Sequence, residues 1–308
     1  MVMSMTTLIE NTSYEACPIR RRRTKAEIAH IRQAIYDVVA EDPPMTVRQV
    51  FYRLVVAGTV EKTETAYQGT VIRLLTEMRL DGGIPYEWII DESRRRRITQ
   101  TYDGVADALE HTARFYRRSA LQQARDYIEI WCEKDALAGL MWQVTSVYDV
   151  PLMVSRGMPS LTFLHGTAQE THKAFAAGKS TFIYQFGDHD PSGVLIPQTI
   201  QRRLDEMCEQ LGCEPPTIER VALTEDMIAT YNLPTRPTKR EGNRHAAGFA
   251  GNSVELDALP PRALRDLVQE VIEDHISEHE LKVLRVAEES EREQLKIFAR
   301  QAPQTEAR

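Results

Sequence analysis

From residue 127 onward the chain alternates short apolar runs with helix-length segments, and this rhythm limits the possible folds more than any other feature. The runs at 127–132, 150–154, 181–186 and 218–223 have the length and the β-branched and aromatic content of buried strands. Residues 136–148, a stretch within 160–177 and residues 192–211 lie between them with helical periodicity. Repeated strand–helix–strand units build a parallel, doubly wound sheet, because each crossover helix returns the chain to the same end of the sheet. The expected class is α/β here, and α+β over the whole chain.

Two of these runs deliver acids. The run 127–132 is followed by Glu133, and the run 181–186 by Gly187-Asp188-His189-Asp190. In an open parallel sheet ligands collect at the carboxyl ends of the strands, so acids distant in sequence can meet there. Three carboxylates in one crevice repel each other and raise at least one pKa, which a hard divalent cation relieves. Oxygen-only ligands with room for water and phosphate suit magnesium, so Glu133, Asp188 and Asp190 are the expected Mg2+ site. Pro191-Ser192-Gly193 then opens a helix whose N-terminus faces the same side and favours an anion. Taken singly, each acid also reads as a helix cap or a surface charge.

The first 119 residues have another texture. Residues 1–23 read as a basic arm. Thr24 with Glu27, and Thr46 with Gln49, have capping-box spacing ahead of apolar periodicity, which predicts helices over 24–41 and 47–57. A third helix is expected at 65–80. Tyr86, Trp88, Ile89, Ile90 and the arginine run after them read as a β-ribbon. Three short helices with a basic ribbon make a winged helix, although a plain three-helix bundle has the same spacing. The expected division is a winged-helix domain over 24–119, closed by a linking helix at 103–119. A metal-binding α/β domain then covers 120–300, with a loop at 234–253 and C-terminal helices, and 301–308 form a frayed tail.

Within the second helix Val47, Val50, Phe51, Leu54 and Val55 form one apolar stripe. At roughly 100° per residue Tyr52 lies about 130° from its centre and Arg48 about 90° away on the same flank. The two are therefore i,i+4 neighbours just outside the core face. A phenol, with an ordinary pKa of about 10, needs nearby positive charge to attack phosphorus at neutral pH. Arg48 can supply that charge and hold the phosphate. Packing is the alternative role for Tyr52.

A net charge of −7 argues against DNA binding until its distribution is considered. Residues 1–130 hold 19 Lys+Arg against 18 Asp+Glu, and the remainder 19 against 27. Tetra-arginine blocks stand at 20–23 and 94–97 and focus positive potential. Arg94, Arg95, Arg96 and Arg97 are the expected contacts to the DNA backbone, with a solvated surface run as the alternative. At 42% hydrophobic and 27% charged, the chain can bury a core. It has no apolar run near the roughly 18 residues of a membrane helix and no secretory pattern at its start. Its four cysteines make no CxxC pair. A cytoplasmic, DNA-associated protein without structural zinc is expected.

Thr46-Val47-Arg48-Gln49-Val50-Phe51-Tyr52 resembles the catalytic-tyrosine segment of topoisomerase VI A subunits and of the related meiotic double-strand-break protein. Glu133 with Asp188-His189-Asp190 resembles their Toprim metal site, Gly157-Met158-Pro159 the Gly-x-Pro of that domain, and residues 254–259 a late family segment. The resemblance spans roughly residues 25–275, and the order of motifs carries it. It implies a winged helix plus Toprim fold, with Tyr52 as nucleophile and Arg48 as its activator. Glu133, Asp188 and Asp190 would hold magnesium, with Glu133 also serving as acid/base. It further implies cleavage of double-stranded DNA by a homodimer, in which one protomer's tyrosine meets the other's metal. Two departures stand out. Ser160 and 161–164 replace the family's aspartate and nearby arginine, and no Walker loop or ATPase segment is present. An ATPase would have to be a separate B-type partner, as for a stand-alone mini-A protein. Two rivals remain open: a Toprim nuclease similar to Wadjet-type subunits, using metal-activated water, and a DNA-binding module without enzymatic activity.

Overall fold

The computed structural model of the 308-residue chain describes residues 23–90, 99–238, 249 and 251–302. Thr24 and Thr46 open the first two helices as their spacing predicts. Thr24 Oγ1 accepts from Glu27 N at 3.2 Å while Thr24 N donates back to Glu27 at 2.6 Å, starting α1 (Lys25–Glu41). Thr46 and Gln49 repeat the exchange at 3.2 and 2.9 Å, starting α2 (Val47–Val56). The third helical stretch is continuous but uneven: α3 (Glu64–Ala66), a π-turn at Tyr67–Ile72, then α4 (Arg73–Leu80). Ile35 of α1, Val50 and Leu54 of α2, and Leu74 of α4 are fully buried in one cluster.

Two expectations for this region are corrected. Tyr86–Trp88, the start of the expected ribbon, forms a 3-10 turn, and Ile89–Ile90 (β2) pairs in parallel with Met45–Thr46 (β1), while the rest of the ribbon expectation falls at 91–98, outside the described residues. The strand edge within reach of Ile89 is the short segment ahead of α2, which runs in the same direction. The arginine block at 94–97 lies outside the described residues, as do Arg20 to Arg22. The linking helix is interrupted, giving α5 (Val105–Phe115) and a short α6 (Ala120–Gln123). Tyr116 turns extended because partners far along the chain satisfy this segment: its carbonyl accepts from Arg292 at 3.1 Å, and Arg118 N donates to Glu288 at 3.1 Å.

The second half is an α/β unit with a four-stranded parallel sheet. Its strands are β3 (Tyr127–Cys132), β4 (Leu152–Val154), β5 (Thr181–Phe186) and β6 (Thr217–Ala222), in the order β4-β3-β5-β6. The crossover helices are α7 (Asp135–Tyr148), α8 (Leu161–Ala176) and α9 (Pro191–Leu211). Side chains alternate along the strands, as the pleat requires. Ile128, Ile130 and Cys132 join the cluster with α7, whereas Trp131 and Ile183 join Leu164 of α8 and Leu204 of α9 on the other face. Chain direction across the sheet reverses between β3 and β5, and this is the switch point where doubly wound folds bind ligands.

After β6 come α10 (Glu225–Thr230), α11 (Pro261–Glu273) and α12 (Glu278–Gln301). The α7-side cluster runs unbroken from Ile31 in α1 to Leu284 in α12, so the two halves of the chain share a core. Among the described residues no helix is long and apolar enough to cross a membrane.

Glu129 sits inside the sheet, accepting from Trp131 Nε1 at 2.7 Å and Tyr127 Oη at 3.0 Å. Burial pushes its carboxyl above the ordinary range, and these two donors only partly offset that. A raised carboxyl contributes stability that is complete below its unfolded pKa and is lost as pH rises through the folded value. Glu129→Gln should remove this slope. Denaturant midpoints measured from pH 5 to 8 should fall less for the variant than for the wild type, and parallel curves would count against the assignment.

Candidate functional site

Cys132 lies opposite Phe186 in the β3–β5 pairing, so the next residues leave the sheet together at the switch point. Glu133 N donates to Phe186 O at 2.9 Å, and Asp188 N donates to Glu133 Oε2 at 3.2 Å. Burial and then Asp188 push Glu133 above the usual carboxylate range, and Asp190 adds to this. Asp188 is also raised, mainly by burial, although Lys134 Nζ stands 3.2 Å from its Oδ1. Sharing explains this: the same ammonium also serves Glu255 Oε2 at 3.2 Å and Asp257.

The turn between β5 and α9 needs Gly193, while a side chain at Gly187 would displace the Glu133 carboxylate. A Cβ on Gly193 would lie 2.1 Å from the Asp188 carbonyl oxygen, and one on Gly187 would lie 2.8 Å from Glu133 Oε2. Arg220 on β6 fastens the turn from behind, donating to Asp188 O at 2.7 Å and to Gly193 O. Asp190 has a structural task in it. Its Oδ1 accepts from Gly193 N at 2.7 Å as the N-cap of α9. Asp190→Ala should therefore cost about 0.5–2 kcal/mol, whereas Asp190→Asn, an equally good cap, should melt close to the wild type. Thermal melting of the two variants checks this, and equal losses would contradict the capping role.

Glu133 and Asp188 are thus side by side, and Asp190 is close enough to raise Glu133 but is turned toward its helix. Among the described residues no group of three or more His, Cys, Asp or Glu side chains is gathered as a metal-ligand set. The donor chemistry still fits a hard cation. The neighbouring donors are carboxylates, and two of them are crowded and raised. His189 stands apart, its backbone bridging to Val254 and its ring packed 5.1 Å from Phe249. Gly157, past the end of β4, adopts φ +87°, which favours glycine. Ser160, where the resembled family has an aspartate, caps α8 by accepting from Phe163 N at 3.2 Å.

Residues that sequence reasoning missed join this crevice to α2. Burial alone would lower Lys134, but Asp257, Asp188 and Glu255 outweigh it and hold the ammonium charged. Glu255 also receives Arg48 Nη1 at 3.1 Å and Arg236 Nη1 at 3.2 Å. Burial would raise Glu255, yet Lys134, Arg48 and Arg236 hold it below the usual range. A path of alternating charge therefore runs Asp188–Lys134–Glu255–Arg48. Its sequence signals were slight: Lys134 directly follows Glu133, and Glu255 and Asp257 alternate within the segment 254–259.

Tyr52 is not outside the core. It is 3% exposed. The turn at Leu256–Ala258 packs on α2 and closes the flank that the helical stripe leaves open. The Tyr52 ring lies 5.4 Å from that of Phe51, with Lys62 Nζ 5.4 Å above it. Burial, then Glu255, push the phenol above its ordinary value, while Arg48 and Lys134 pull it down without prevailing. Arg48 is engaged by Glu255 and also lies over the Tyr67 ring at 4.9 Å.

Comparisons with protein-family models, with curated proteins and with solved structures return no match. A functional reading therefore rests on the chemistry of the site.

Proposed function

We propose that this protein is a magnesium-dependent DNA-cleaving enzyme in which Tyr52 attacks a backbone phosphate and becomes covalently joined to it. The reading follows the topoisomerase VI A-type proteins that its motifs resemble, with residues 24–119 taken as a winged helix and 120–300 as a Toprim-like domain. The observation that carries it is the path Asp188–Lys134–Glu255–Arg48, which ties the tyrosine-bearing helix to the acid crevice within one chain. Without DNA the phenol is held protonated by burial and by Glu255. A phosphate competing with Glu255 for Arg48 would place an electrophile beside Tyr52, with the phenol proton passing to water as the oxygen–phosphorus bond forms and the 3′ oxygen leaves. Glu133, whose carboxyl keeps its proton more readily than usual, suits donation to the leaving 3′ oxygen. Magnesium, held by Glu133 and Asp188 with Asp190, would supply Lewis-acid stabilisation of charge on the phosphate. Duplex DNA and a second copy of the chain are the partners this reading entails, and any ATPase would be a separate chain.

The burial of Tyr52 favours a second reading, a hydrolytic Toprim-like nuclease in which this tyrosine is a packing residue. The chemistry of the cut end separates the two. Supercoiled plasmid incubated with the protein and Mg2+, then denatured with detergent, should carry covalently attached protein. Chelator should abolish cleavage, and Glu133→Gln and Asp190→Asn should lose it while still binding DNA. Cut ends free of protein would establish the nuclease. Binding without any cleavage would leave a DNA-binding module.

A further inference from the structure

Away from the acid crevice, α5 and α12 lie against each other along their length, with Ala113 and Ala299 buried. A cleft of about 550 Å3 along this seam is lined by Arg114, Arg117, Arg292, Lys296 and Arg300, with Glu110 as its one acidic lining residue. In a chain of net charge −7 this concentration of cations does not follow from composition. Three of the five have partners on α12: Arg117 with Glu288 at 3.0 Å, Arg292 with Glu289 at 2.7 Å, and Lys296 with Glu293. Arg292, largely buried and also held by Glu288 and Tyr116 O, stays engaged, whereas the exposed Arg117 and Lys296 are in pairs worth little that yield readily to a better anion. Arg114 and Arg300 form no ion pair among the described residues, and both are exposed.

A larger cavity, about 710 Å3, adjoins this cleft and shares Arg117 and Arg292 with it. It is rimmed by Arg118 and Arg285 together with the acids Asp149, Glu288 and Glu289, and carries two large exposed rings, Phe115 of α5 at 61% and Trp142 of α7 at 56%. Phe115 also ends a row of rings that runs from Tyr102, ahead of α5, through His111. Its centroid is 4.6 Å from that of His111, which is 5.2 Å from Tyr102. Cations in a groove, with flat rings exposed beside it, match a ligand that has a phosphate backbone and uncovered base faces. A duplex keeps its base faces stacked inside and would meet only the cations. A polyanion without rings would likewise leave Trp142 idle.

We propose that the α5–α12 seam binds single-stranded nucleic acid, with phosphates along Arg114, Arg117, Lys296 and Arg300 and bases stacked on Phe115 and Trp142. This binding is independent of chemistry at Tyr52 and Glu133 and of any metal.

The test uses the full chain with a fluorescently labelled oligothymidylate of 20 nucleotides, in chelator, with anisotropy followed across salt concentrations. The wild type should bind. Arg114→Gln with Arg300→Gln should weaken binding about tenfold or more and flatten the slope of log affinity against log salt by about 1.4, the value for two lost single-strand phosphate contacts. Trp142→Ala should weaken it at least about fivefold with the slope unchanged, since stacking releases no counterions. Both changes are at exposed positions, and circular dichroism with thermal melting should match the wild type. Unlabelled duplex and inorganic polyphosphate should compete poorly. No binding by the wild type, or variants that bind as it does, would overturn the proposal whatever the arginine block at 94–97 contributes. Equal competition by duplex together with an inert Trp142→Ala would overturn the stacking and leave a general polyanion cleft. Loss of cleavage at Tyr52 or Glu133 would not bear on any of these readouts.

Discussion

Tyr52→Phe is expected to abolish covalent attachment to DNA and to reduce cleavage by a factor on the order of 10^3 or more, while folding and DNA binding persist. The substitution removes one oxygen and keeps the ring that packs beside Phe51 and beneath Lys62. Stability should therefore change by no more than about 1 kcal/mol. The phenol is buried and raised, so it keeps its proton in the DNA-free chain. On the proposed reading its attack would need Arg48 to pass from Glu255 to a phosphate set beside the phenol. Weakening that competitor offers an internal check. Glu255→Gln should leave Arg48 more available and lower the phenol's pKa. A Tyr52→Phe protein that nicks plasmid at close to the wild-type rate, leaving protein-free ends, would eliminate the transesterase and establish the hydrolytic reading. Gel analysis with and without protease digestion of the DNA-bound fraction distinguishes the outcomes.

Lys134→Met should be the most destabilising single change at the site, by about 3–5 kcal/mol. The methionine keeps most of the side-chain volume and loses only the ammonium. Asp188, Glu255 and Asp257 would then share a largely buried space without their common cation. For a chain of this size the melting temperature should fall by on the order of 10 °C. The sign of the pH dependence follows from Glu255, whose carboxyl is held below its usual range. A depressed carboxyl contributes stability above its unfolded pKa and loses it as pH falls through the folded value. Removing Lys134 removes much of that contribution, so the deficit should be full near neutral pH and shrink as the medium becomes acidic. Lys134→Arg, which keeps the charge with a different shape, should lie between. A Lys134→Met protein within about 1 kcal/mol of the wild type at pH 7 would mean that the charge path does not hold the crevice to α2.

Several elements could be read directly because their causes are local. The capping boxes at Thr24 and Thr46 each involve residues three apart, and both form as their spacing predicts. β3 and β5 match their expected limits, since an apolar run of six residues between polar flanks has one buried register. β6 begins one residue early and β4 two residues late, where pairing partners set the ends. The break at the end of the linking helix could not be read, because the groups that interrupt it at Tyr116 are glutamates and an arginine on α12. The parallel pairing of Ile89 could not be read for a similar reason, since its partner Met45 lies on the far side of α2, α3 and α4 in the chain.

By itself the sequence determined a parallel α/β sheet with acids at the ends of two strands, because strand length, helix periodicity and chain direction are local properties. It thereby put Glu133 and Asp188 at the same end of the sheet, and the β3–β5 pairing set them side by side. Only the tertiary structure decided what surrounds them. Lys134 became the shared counterion of three acids because the segment 254–257 bridges back to His189 and brings Glu255 and Asp257 within reach. Asp190 became a helix cap because Gly193 N lies 2.7 Å from it. Tyr52, off the apolar stripe of its own helix, became buried because a turn more than two hundred residues later packs over that flank. Periodicity reports how one helix meets one surface, and α2 meets two.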